Sequence, residues 1–189
     1  MASVRRMAAP TARRTERLVL RAPRPEDAGR ILEFRNLPEV QRWLMVTTVE
    51  PDGYGESLRR SAEDPHDHSV VVELDGTVIG IVFLEVEDGA GQPGKPERTE
   101  ALLGYIVDPA YAGHGYASEA AAAMVGVAFE ELGVRRVTAG CFADNLASVR
   151  ILETIGMRRE QHGVRDSWHA DLGWVDGYSY ALLAEEWRG

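Results

Sequence analysis

The chain has 189 residues, 44% hydrophobic and 27% charged, the balance of one globular domain able to bury a sizeable core. Its net charge of −9 argues against non-specific nucleic-acid binding, which needs a basic face, and suits a cationic small molecule or peptide. The single cysteine, Cys141, excludes an internal disulfide framework, and no window approaches the ~18 apolar residues of a membrane span, so the expected location is a reducing cytoplasm.

Residues 1–14, "MASVRRMAAPTARR", form a basic stretch without the apolar core of a signal peptide. They are expected to be a disordered tail, an RNA-binding arm being the alternative, with residues 15–189 a single domain. "TERLVLRAP" alternates as a strand does and stops at Pro23 and Pro25. "PEDAGRILEFRNLPEV" predicts a helix with Pro25 in its first turn and Glu26 and Asp27 set against the N-terminal dipole. "GYGESLRRSAED" predicts a shorter helix. "HSVVVEL" and "TVIGIVFLEVED" flank Asp75-Gly76, the two-residue turn whose twist matches a hairpin. After the Gly/Pro loop "GAGQPGKPE" come the strand "RTEALLGYIVDP" and the helix "SEAAAAMVGVAFEELG", with Ser118 as candidate cap and Gly133 as stop. The strand "VRRVTAGCF", the helix "NLASVRILETIG", the strand "MRREQHGV" and a final strand with a short helical tail, "WVDGYSYALLAEEW", complete the chain. The order β-α-α-β-β-β-α-β-α-β-β implies an α/β layer fold with a mixed sheet.

Between strand and helix lies "GHGYAS", residues 113–118. Glycines there permit positive φ or close approach of a guest, and helix N-terminal amides favour an anion. The turn lacks the Lys-Ser/Thr of a P-loop. It sits mid-chain, and no acidic residue ends the next strand, which argues against nicotinamide binding.

Four segments in order resemble the GNAT superfamily of N-acetyltransferases. "AGHGYA", Ala112 to Ala117, is similar to that family's phosphate turn, Arg/Gln-x-x-Gly-x-Gly/Ala, and "NLASVRILETIGM" to its signature Asn-x-x-Ser/Ala … Glu-x-x-Gly-Phe. "RLVLRAPRPEDAGRIL", "GYIVDP" and the closing "WVDGYSYALLAEEW" look like the RimJ/RimL branch, which includes ribosomal-protein N-terminal acetyltransferases. The resemblance spans residues 15–187. It implies a mixed, mostly antiparallel central sheet flanked by helices. It also implies acetyl transfer from acetyl-CoA to a primary amine, on a protein N-terminus or a small molecule, by direct attack in a ternary complex without a metal.

On that resemblance the amides of Gly113, His114, Gly115, Tyr116 and Ala117 would hold the pyrophosphate. Ala112 departs from the long side chain usual at its position. The main chain of Tyr105, Ile106 and Val107 would pair with pantetheine, and Asn145 would contact its amides while also capping a helix. The glutamate that this branch often carries two residues before the "GY" glycine is Leu102 here. Glu100, on the same strand face, is the substitute candidate for general base. The family's tyrosine acid is Leu152, leaving Ser148 as hydrogen-bond donor to the departing thiolate; Arg150 is a further candidate for the cofactor's ribose phosphate. These two leucines motivate the alternative of a non-catalytic acyl-CoA-binding or sensing module. His66 and His68 beside Asp64 and Asp67 invite a metal reading but have no evident third distant ligand, so a solvated loop is preferred. Cys141 is assigned to packing, and Trp43, Trp168 and Trp174 to the core or the walls of an acceptor cleft. The last strands offer a candidate edge for a homodimer.

Overall fold

The computed structural model describes residues 12–188. Most of the expected N-terminal tail, residues 1–11, lies outside them; Arg13–Arg14, at its end, form strand β1. An eight-stranded sheet runs in the order β1-β2-β3-β4-β5-β6-β8-β7, with β2 at Val19–Arg21, β3 at Val70–Leu74, β4 at Thr77–Glu87, β5 at Glu100–Val107, β6 at Arg136–Phe142, β7 at Arg158–His169 and β8 at Gly173–Leu183. Every neighbouring pair is antiparallel except β5 with β6. The mixed, mostly antiparallel sheet flanked by helices is therefore as expected. Among the described residues, no helix is long and apolar enough to cross a membrane.

The strand alternation sends side chains to two cores. One face packs Leu84, Ala101, Leu103 and Val137 against helix α4, Tyr116–Glu130, whose Ala120, Ala121 and Ala128 are fully buried. Short side chains let this helix lie close to the sheet. Helix α5, Leu146–Thr154, adds Leu152 to the same core. The opposite face packs Val71, Ile81 and Ile106 against Ile31 and Phe34 of helix α1, Ala28–Arg35, and Leu58 of helix α3, Tyr54–Glu63.

The single helix expected over residues 25–40 is divided. A 3-10 turn at Pro25–Asp27 precedes α1, and helix α2 restarts at Pro38–Gln41. Pro38 cannot donate to a continuing helix and holds Leu37 extended (φ −66°, ψ 138°). Helix α4 begins two residues before the proposed Ser118 cap, with Gly115 in the capping place. The expected C-terminal helix is a hydrogen-bonded turn, Glu186 N–H donating to Leu183 O at 2.9 Å. Strand β7 runs past Val164 to His169, forming a long hairpin with β8.

A buried ion pair ties the first turn to the sheet. Arg21 on β2 donates to both Asp27 oxygens at 2.8 Å and to Glu73 on β3, and Arg24 N–H reaches Asp27 at 2.7 Å. Burial alone would raise the Asp27 carboxyl, but the hydrogen bonds from Arg21 and Arg24 outweigh it and hold it below its usual range. Arg21→Ala leaves a carboxylate that is 7% exposed without its counter-ion. In urea titration near neutral pH it should cost about 3 kcal/mol. Asp27 stabilises the fold above the ordinary carboxylate range and ceases to do so as pH falls through its depressed value. The deficit of the variant should therefore shrink on acidification.

Candidate functional site

Strands β5 and β6 are paired only at Glu100–Arg136, Ala101–Val137 and Leu102–Thr138. Beyond Leu102 they part, and a cleft of about 1150 Å³ opens between them. The register shows which peptide groups face it. Asp108 N–H donates to Ile79 O at 2.8 Å, so the alternation commits Ile106 and Gly104 to hydrogen bonds with β4. The N–H and C=O of Leu103, Tyr105 and Val107 point the other way, toward the gap. Ile106 is thus corrected: its peptide groups are bonded to Ile81, and its side chain is buried. Tyr105 and Val107 are the two of the three whose peptide groups are turned toward the gap.

At the C-terminal end of β5, Asp108 accepts from Ala110 N–H at 2.9 Å and starts a 3-10 turn at Pro109–Tyr111. Gly113 (φ 79°) and Gly115 (φ 81°) then reverse the chain into α4. These angles are why glycine stands at both positions. The first intrahelical bond runs from Glu119 N–H to Gly115 O at 3.0 Å, leaving the amides of Tyr116, Ala117 and Ser118 without helical partners. Gly113, Gly115, Tyr116, Ala117 and Ser118 all line the cleft. His114 does not: its Nδ1 sits 2.9 Å from Ala112 O, and its ring stacks on Tyr116. Its side chain packs on its own turn, outside the cleft lining.

Across the gap, the Asn145 side chain accepts from Ser148 N–H at 3.2 Å and caps α5, as its sequence position predicts. Ser148 Oγ lies 2.9 Å from the Tyr105 hydroxyl. Burial pushes the Tyr105 phenol well above its usual range, against the hydrogen bond with Ser148, so the phenol stays protonated near neutral pH. Burial likewise raises the Cys141 thiol, against a hydrogen bond with Ser148, but the residue is only half-buried and lines the cleft, where packing alone was expected. Leu152, 1% exposed, belongs to the core. Arg150 lines the cleft.

Glu100 is not brought into the cleft. It begins β5 opposite Glu87, and its carboxylate lies 3.6 Å from Arg136 Nε. The carboxylate that does line the cleft near Leu102 is Glu85, its cross-strand partner on β4. Partial desolvation, with Asp67, Glu87 and Asp64 nearby, raises its pKa. Glu39, Asp166, Trp43 and Phe83 also line the cleft. Trp168 and Trp174 are instead 61% and 59% exposed and pack on each other in the β7–β8 hairpin, neither core nor cleft wall. Asp64 and Asp67 accept from the backbone N–H groups of His66 and Ser69, so the aspartates bind their own loop.

The family described as acetyltransferase (GNAT) domain matches residues 17–158. The uncharacterized N-acetyltransferase YnaD of Bacillus subtilis is 28% identical, the match covering 92% of this chain and 98% of YnaD. Among solved structures, a GNAT-family acetyltransferase from Bacillus anthracis superposes with a TM-score of 0.77 at 26% identity, over 93% of this chain and 100% of the other. Mycobacterium smegmatis RimJ, solved with a CoA-disulfide, superposes with a TM-score of 0.75 at 25% identity, over 89% of this chain and 83% of RimJ.

The Asn145 cap separates two properties of one side chain. Asn145→Ala should lower the unfolding free energy by about 1 kcal/mol in chemical denaturation, while Asn145→Asp, which caps equally well, should retain it.

Proposed function

Since the chain belongs to the acetyltransferase (GNAT) domain family, whose members take the acetyl group from acetyl-CoA, we propose that it transfers that group directly to a primary amine in a ternary complex. The observation that carries this reading is the parting of β5 from β6 at Leu102, with the glycine turn at the end of the freed edge. The group fits the residues present. A pantetheine arm is an amide chain that pairs with an extended edge, and Tyr105 and Val107 offer one. A pyrophosphate needs unpartnered N–H groups with no side chain in the way, as supplied by the Gly113–Ala117 turn and the start of α4. Asn145 is assigned to the pantetheine amides through its remaining NH₂.

Acetyl-CoA supplies a thioester whose carbonyl carbon can accept an amine. The protein's tasks are to remove a proton from that amine, to polarise the carbonyl and to assist the sulfur as it leaves. We assign the first to Glu85, directly or through a water, because it stands across the strand from Leu102 on the same sheet face. An inward amide of β5 polarises the carbonyl. Ser148 Oγ donates to the thiolate, oriented by the Tyr105 hydroxyl. The carboxylates of Glu39, Glu85 and Asp166 in the cleft lining favour a cationic amine, either a protein N-terminus or a small molecule.

Incubation with acetyl-CoA and a panel of peptides and amines should release free thiol; binding of the cofactor with no turnover across a broad panel would overturn the enzymatic reading. Glu85→Gln should lower kcat/KM by about 10²–10⁴ at unchanged CoA affinity, with Glu39→Gln and Asp166→Asn far milder. Glu85 must be ionised to accept the proton, so wild-type rate should fall as pH drops through its raised pKa, and this acid limb should vanish in Glu85→Gln. Gly115→Val, placed at φ 81°, should abolish CoA binding in calorimetry while circular dichroism still reports a folded chain. Undiminished affinity in that folded variant would sink the turn assignment.

A further inference from the structure

The glycine turn is held from behind by a residue almost a hundred positions earlier. Arg17, in the turn between β1 and β2, donates through Nη1 to His114 O at 2.9 Å. Its Nε donates to Glu119 Oε2 at 2.7 Å, and its backbone N–H to Glu119 Oε1 at 2.9 Å. Thr15 Oγ1 donates to the same Glu119 oxygen at 2.5 Å. The guanidinium lies 4.6 Å from the centre of the Tyr116 ring, and its Nη2 is 3.5 Å from where a Cβ on Gly115 would stand. Arg17 itself does not line the cleft, whereas Gly115 does.

The consequence follows from peptide geometry. In a trans peptide the C=O of one residue and the N–H of the next point in opposite directions, and the described chain has no cis bonds. Fixing the His114 carbonyl on Arg17, outside the cleft, aims the Gly115 N–H into it. Ala112 has no side chain long enough to brace the loop from within. We propose that Arg17 is a positioning residue, locked by Glu119, that holds this peptide in the orientation that receives a pyrophosphate. The inference rests on the cofactor reading above. It gives Glu119 an unexpected sign. As a bare negative charge in the first turn of α4, Glu119 would repel phosphate, yet as the anchor of Arg17 it favours binding.

The test measures CoA affinity by calorimetry, and steady-state kinetics with acetyl-CoA and with acetyl-pantetheine, which lacks the pyrophosphate. Arg17→Ala should weaken CoA by about tenfold, the worth of one charge-assisted hydrogen bond, raising KM for acetyl-CoA with little change in kcat. Arg17→Lys keeps the charge but not the fork and should resemble Arg17→Ala. Glu119→Ala should also weaken CoA, although it removes a negative charge beside the phosphates. Turnover of acetyl-pantetheine should stay at the wild-type level in all three. The proposal is overturned if Glu119→Ala tightens CoA, if Arg17→Lys or Arg17→Ala binds as wild type does, or if acetyl-pantetheine turnover falls in step, which would indicate general damage to the fold. A wild-type chain that does not bind CoA would instead overturn the cofactor reading itself, and this inference with it.

Discussion

The three-pair contact between β5 and β6 is the constraint from which the site follows. Parallel neighbours normally continue side by side, each satisfying the other's peptide groups. Here β6 keeps its antiparallel bonds to β8 along its length, and β5 keeps its bonds to β4, so each strand is secured on its far side while the near sides diverge. The sheet can open without coming apart. The exposed polar edge of β5 is then a built-in demand for a partner with amide groups. The rest of the architecture borders that gap: α4 starts at one end of it, α5 follows the opposing strand, and Glu39 and Val40 of α2 line it together with Trp43, Leu44, Met45 and Val46.

Local chemistry made much of this legible in the amino-acid sequence. Asp75-Gly76 announced its hairpin because few residue pairs accept positive φ at both positions, and both indeed take it (49° and 81°). Gly113 and Gly115 were visible as a turn for the same reason. Asn145 was recognisable as a cap because a short side-chain oxygen before an apolar-periodic run has one favoured partner, the amide three residues on. Ser118 misled for a related reason: a hydroxyl is the stronger capping signal, but a left-handed glycine, Gly115, takes the capping place three residues sooner.

What stayed hidden depends on register across long loops. β4 and β5 are joined by residues 88–99, and nothing in that Gly/Pro-rich stretch specifies that Glu85 falls opposite Leu102. Alternation along β5 alone therefore points to Glu100, which lies outside the cleft lining with its carboxylate 3.6 Å from Arg136 Nε. The orientation of Ile106 was equally invisible, since alternation along a strand reveals which residues share a direction but not which direction that is. Arg17 lay within a segment legible as a strand, and its contact with His114 spans the whole first half of the fold.

The lining of the cleft combines the bare turn and the first amides of α4 with three carboxylates, Glu39, Glu85 and Asp166. On the proposed chemistry, an acceptor arrives as an ammonium ion and departs as a neutral amide. The carboxylates that draw it in lose their hold once the bond has formed, while the spent coenzyme keeps every phosphate contact it had. The acylated product should then be the first to leave, and the order of departure is written into the charge map of the pocket without any moving part.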